Sequence, residues 1–228
     1  DDSQSYVYIR YVTPPGQTLH EAIATASPVE SLRKITIGLQ GLRRWWNFAG
    51  FPVCPMPVDV FIPNDGDAAL LAAIIRPPLR VEALLQEPMR AWFVPPEWVR
   101  GVTSPLADAH AIYALAVMAL LAVFRAPEMD SGQALRCLAN GTLFAESTLQ
   151  SRLPPWTSSL DAVREMRAEL LRLIAAPPTA RVVTGPEELG SKLEQWARSF
   201  EPLAAVTQLQ QSGRFEEARA LVRRILEY

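Results

Sequence analysis

Two cysteines, two histidines, eleven glycines and a net charge of −2 are all that 228 residues provide of those kinds, and each shortage removes a class of function. Cys54 and Cys137 cannot form a disulfide framework in a chain this long, so both read as reduced core or boundary residues, which suits the cytoplasm. His20 and His110 stand far apart with no cysteine or acidic spacing around them, so no zinc site is expected. No glycine pattern reads as a Walker loop or a dinucleotide fingerprint, and no serine stands in a G-x-S-x-G elbow. The near-neutral charge gives no electrostatic case for nucleic acid. The longest uncharged apolar run, from Ala109 to Phe124, is 16 residues against the ~20 needed to span hydrocarbon.

What the chain does have is 49% hydrophobic and 20% charged residues, enough for a sizeable core, and twenty prolines. The prolines cluster in connections such as TPPG, FPVCPMP, RPP, VPP and LPP, which divide the chain into helices and short extended pieces. The order is organised around SPLADAHAIYALAVMALLAVF, Ser104 to Phe124. Its apolar residues keep to no single stripe, so the choice is between the axis of a globular core and a membrane segment, and its length favours the core. Ser104 suits the cap, Pro105 the first helical position and Asp108 the positive end of the helix dipole.

Tyr6 to Val12 reads as a strand ended by Pro14-Pro15-Gly16. A short helix from Thr18 to Ala24 precedes a second that Ser27-Pro28 restarts and that runs to about Phe48, with Val29, Leu32, Ile35, Leu39, Leu42 and Trp46 at helical spacing. Val58 to Ile62 and Ala69 to Ile74, separated by Pro-Asn-Asp-Gly-Asp, read as a hairpin. Arg76 to Val94 is irregular and leads through Pro95-Pro96-Glu97-Trp98 to the central helix; a further helix is expected over Ser158 to Ala175. The chain opens on Asp1 with no signal-like segment, and is expected to be cut from something longer.

YVYIRYVTPPGQTLHEAI, VPPEWVRG, IYALAVMALLAVF and PPTARVVTGPEELGSKLEQW, in that order and spacing, resemble the C-terminal lobe of a eukaryotic-like protein kinase. The resemblance covers roughly Ser5 to Phe200, and implies a mainly α lobe over residues 1–200 with a short β-hairpin. It implies that Glu97 stands at the family's loop glutamate and Arg181 at the late arginine that pairs with it. The alternative is two unrelated surface charges. It also puts the family's backbone-holding aspartate on Ala111 and its glycine on Ala116; Asp108 could take over that role only if the helix start is shifted, and is otherwise a plain first-turn acid.

The same alignment removes the chemistry. Phosphoryl transfer in that family needs a proton-accepting aspartate, an asparagine and a second aspartate for magnesium, and a lysine from the small lobe. The resemblance places Cys54 at the first position, Asp59 at the asparagine and Ala72 at the chief magnesium ligand. A methyl group offers magnesium no oxygen, and a thiol does not replace the carboxylate. Asp59 could still hold a cation as a lone carboxylate or be satisfied by backbone amides; Asp65 and Asp67 read as turn residues. No catalytic, cofactor or metal site is therefore expected.

Residues 201–228 form a second unit. LAAVTQLQQSG and RFEEARALVRRILEY, a helix, a glycine turn and a second helix, resemble one tetratricopeptide repeat, with Gly213 at the turn, Phe215 after it and Ala218 where helices come close. Phe215, Leu221 and Ile225 are expected to form the buried stripe of the second helix. An ordinary helical hairpin is the alternative. A pair of helices cannot bury that stripe alone, so either further repeats follow or the pair packs on Trp196 and Phe200. The six tryptophans suit either the core or an interface. The function expected is that of an inactive, cytoplasmic protein-interaction scaffold whose partners are other proteins, as a subunit of a larger complex; the alternatives are a nucleotide-binding regulator and an active phosphotransferase using Asp59.

Overall fold

The computed structural model describes residues 15–49, 60–64, 70–71, 92–100, 107–125, 133, 136–137 and 150–227, with the backbone alone at 40–49, 70–71, 98–99, 107–108, 111, 158–159 and 186. Their architecture is mainly α. Thr18 shows how local chemistry sets the first boundary. Its hydroxyl accepts from the Glu21 amide at 3.2 Å while the Glu21 carboxylate accepts from the Thr18 amide at 2.7 Å, a closed capping box. Thr18 is thus the cap of α1, Leu19–Thr25, instead of its first residue, and Gly16–Thr18 forms a strand, β1, where a turn was expected. The Ser27 hydroxyl accepts from the Glu30 amide at 3.2 Å at the start of α2, Pro28–Ala49.

β2, Val60–Pro63, lies between β1 and β3, Leu70–Leu71, and pairs antiparallel with both, Gln17 opposite Ile62 and Phe61 opposite Leu70. The expected hairpin therefore carries a third strand. Gly16 is required there, since a Cβ on it would stand 2.4 Å from the Ile62 carbonyl oxygen. A short helix α3, Pro96–Val99, precedes α4, Ala107–Val123.

α4 is the axis. From Ile112 to Leu120 every residue is buried, and α2, α5 (Asp161–Ala175) and α6 (Pro178–Ser199) all pack on it. A helix apolar all round needs neighbours on every side, and these supply them. Phe124 is not helical: with Arg125 it forms β4, paired with β5, Gln150–Ser151. Arg152 accounts for the stop. Its amide donates to the Val123 carbonyl at 2.7 Å and its guanidinium to the Leu121 carbonyl at 3.3 Å, taking helix-end carbonyls that have no partner within the helix.

A 3₁₀ turn, Pro155–Ser159, precedes α5, so the helix expected from Ser158 begins at Asp161. α6 is broken at Gly185, whose φ of 66° and ψ of 153° only glycine adopts readily. Another glycine sits close to a neighbour: a Cβ on Gly190 would lie 3.0 Å from the tip of Leu39 on α2. α7, Pro202–Gln211, and α8, Phe215–Glu227, complete the chain. Between them the Arg214 amide donates to the Leu209 carbonyl at 2.9 Å and the Gly213 amide to the Gln210 carbonyl at 3.0 Å, with Gly213 at φ 73°, a Schellman turn.

Trp196 and Phe200, one expected seat of the helix pair, lie in the main core. Ala205 and Leu221 close instead over Trp156, in a small separate cluster with Val206, Leu209 and Ile225. Phe215 is no part of that stripe. It is 61% exposed, because the Trp156 surface is reached by Leu221 and Ile225 further along the helix. Trp92, Trp156 and Trp196 are all buried, so those three tryptophans serve the interior. No helix among the described residues is long and apolar enough to cross a membrane.

Candidate functional site

Charge buried beside the central helix marks the part of the molecule with the most constrained chemistry. Arg181, in the first half of α6, is 1% exposed. Its Nη1 donates to Glu97 Oε1 at 2.6 Å and its Nη2 to Glu97 Oε2 at 3.1 Å, a forked pair matching the planar guanidinium to the carboxylate. Nε donates to the Leu173 carbonyl at 3.0 Å and Nη2 also to the Ile174 carbonyl at 3.4 Å, so Arg181 also ties down the end of α5.

α4 supplies the wall. Tyr113 lies face-on to Arg181, 4.9 Å from ring centre to guanidinium carbon, and its hydroxyl donates to the Trp92 carbonyl at 3.3 Å. One turn earlier His110, 2% exposed, brings Nε2 within 3.9 Å of Glu97 Oε1. Burial is the main force holding the His110 pKa below its ordinary value; the Glu97 carboxylate opposes this and the Arg181 cation adds to it. His110 is therefore neutral at pH 7.

The arrangement joins α3, α4, α5 and α6 at one point. It holds charge in place, and four of the five N–H donors of the guanidinium are used on protein atoms. That is the chemistry of a structural clamp.

The other residues singled out by sequence do not gather here. Cys54, Asp59, Ala72, Asp65 and Asp67 lie outside the described residues. Asp108 occupies the first turn of α4, and its side chain lies outside the described part. Cys137 is partly buried. His20 is partly buried on α1. Phe215 and Ala218 lie at the far end of the chain on α8. Among the described residues no group of three or more His, Cys, Asp or Glu side chains could hold a metal ion. The roles of His110 and Tyr113 were missed by pattern reading. The signal was present, because they are the two side chains with polar atoms between Ala109 and Val123 and stand at i and i+3, hence on one face.

Two further features lie on the surface. Glu169 of α5 binds Arg172 at 2.7 and 2.9 Å and Lys192 of α6 at 2.7 Å, and Lys192 also reaches Glu188 at 2.8 Å. The Arg172 hydrogen bonds, helped by Lys192, hold the Glu169 carboxyl down at about 2. An open cleft of about 710 Å³ runs between α2, α6 and α7, with Leu39 and Gly190 at its floor and the Glu194–Arg198 ion pair at its side.

Compared with known proteins, the chain matches no family model, and no curated protein matches it.

Proposed function

We propose that the chain is a catalytically inactive, protein-kinase-like C-terminal lobe, residues 1–200, joined to a tetratricopeptide-like helix pair, residues 201–228, and that it works in the cytoplasm as a protein-interaction scaffold or assembly subunit. The observation that carries the reading is the forked Glu97–Arg181 pair, closed at 2.6 and 3.1 Å against the central helix. Either charge alone at such a depth would be costly, so the retention of both favours a kept structural framework. The sequence supports the loss of chemistry within it, with Cys54 and Ala72 at positions where phosphoryl transfer needs carboxylates.

The mechanism under this reading is shape and surface: the lobe presents the helix pair, and no bond is made or broken. No cofactor is invoked. A thermal-shift titration with ATP and magnesium, alongside a phosphate-transfer assay, tests it. The expected result is an unchanged melting temperature and no transfer. Magnesium-dependent transfer abolished in Asp59→Ala would overturn it in favour of an atypical phosphotransferase, and a nucleotide-dependent shift without transfer in favour of a nucleotide-binding regulator.

A further inference from the structure

α8 has two faces, and only one is used. Leu221 and Ile225 turn inward to the cluster around Trp156. Phe215, Arg219, Val222 and Leu226 follow one another at i, i+4, i+7 and i+11, the spacing of a second stripe along the same helix. On that stripe Phe215 is 61%, Val222 38% and Leu226 80% exposed. Burying such side chains against a partner is favourable, at about 25 cal/mol per Å² of apolar surface.

The stripe borders a groove of about 470 Å³, lined by Gln210 of α7 and by Phe215, Ala218, Arg219, Val222 and Arg223 of α8. Ala218 is the low point, where a small residue lets another backbone approach. Both charged residues in the groove are cationic. Arg219 is met by Glu216 at 3.0 Å, in an exposed pair of little strength. Arg223 has no ion-pair partner among the described residues, although Glu227 stands one turn further along the helix.

From this stripe and its charges we infer that the outer face of α8 is the docking site for an acidic amphipathic helix of a partner protein, about three turns long. The length follows from the stripe, since the eleven steps from Phe215 to Leu226 span ~17 Å at ~1.5 Å each. The acidic character follows from Arg219 within the stripe and Arg223 beside it, both lining the groove, where carboxylates on the incoming helix would meet them. A second copy of this chain fits less well. Two α8 helices paired antiparallel about a two-fold axis at the middle of the stripe would set Arg219 of each opposite Val222 and next to Arg223 of the other, bringing like charges together. The inference rests on the scaffold reading and gives that scaffold's partner its chemistry.

The test is a fluorescence-anisotropy titration of the full chain against two labelled peptides of about 16 residues, long enough to hold a helix. Both carry leucine at the four stripe positions and alanine elsewhere; one has glutamate beside the stripe, its twin lysine. The glutamate peptide is expected to bind at least about tenfold more tightly, with the difference shrinking at high salt. Arg219→Glu with Arg223→Glu should reverse the preference, and Val222→Asp should abolish binding of either peptide, with unchanged melting temperatures because these side chains are exposed. Equal binding of the twins, no binding, or a preference that survives the double charge reversal overturns the inference. So does a concentration-dependent dimer that Val222→Asp dissolves, which would make a second copy the occupant. Phosphate transfer by the same preparation would defeat the scaffold reading whatever the peptides do, whereas failed discrimination without transfer defeats this inference alone.

Discussion

Glu97 and Arg181 are separated by 84 residues of chain and joined by two hydrogen bonds of 2.6 and 3.1 Å in a site where the arginine is 1% exposed. An ion pair so placed gains from attraction in a weakly screened interior and loses from the removal of both ions from water. Whether it adds net stability is therefore separate from whether it can be broken safely.

Breaking it should be severe. Glu97→Ala or Arg181→Ala is expected to cost about 3–5 kcal/mol, because each leaves the other charge buried without its partner. Replacing both, as Glu97→Leu with Arg181→Met, should cost much less than the sum. Urea denaturation of the four proteins in a double-mutant cycle checks this; additive losses would mean that the two groups do not act as a pair.

Acid should weaken the fold in two separate windows. The pKa of His110 is lowered in the folded protein, so the unfolded chain takes up a proton first as pH falls. Its contribution is complete above ~6.5 and is lost below that, toward the lowered folded value. Melting temperature should decline between about pH 7 and 5, and His110→Gln should flatten that decline. Glu169 behaves alike in sign but later, because its carboxyl falls from 4.5 to about 2. Its contribution, about 1 kcal/mol after solvent screening, is present above 4.5 and disappears as pH approaches 2. Glu169→Gln should remove that second window alone.

Two glycines of α6 should respond to alanine differently. At Gly185 there is room for a methyl group but the backbone is strained for any other residue, so Gly185→Ala should cost about 1–3 kcal/mol. At Gly190 the backbone tolerates alanine and the obstacle is the tip of Leu39, 3.0 Å away, a flexible end that can move. Gly190→Ala should cost under about 1 kcal/mol, and guanidinium denaturation of the pair would separate backbone strain from crowding.

Trp156→Ala should loosen the helix pair while leaving the axis intact. Trp156 joins Ala205 and Leu221 in a cluster distinct from the one around α4. Amide exchange is expected to speed up across residues 202–227 and to stay slow in 112–120. In Trp196→Ala the order should invert, with α4 losing protection first, because Trp196 belongs to the main core.

Local patterns in the chain determined most of the helices and the role of the central one. Capping residues, prolines and 3.6-residue periodicity act over a single turn, so α2, α7 and α8 begin and end near the expected residues, and a stretch apolar on every side had to become the interior. Strand edges were less legible, since β1 exists only because β2 is there to pair with it.

The docking partners were decided by tertiary structure alone. Phe215 sits at the start of a stripe that periodicity would bury, yet the inward face of α8 meets Trp156 through Leu221 and Ile225 and leaves the phenylalanine in solvent. The meeting of His110 and Tyr113 with Glu97 and Arg181 has the same origin. Periodicity states which residues share a face, and only the packing of one helix against another, distant in sequence, states what that face touches.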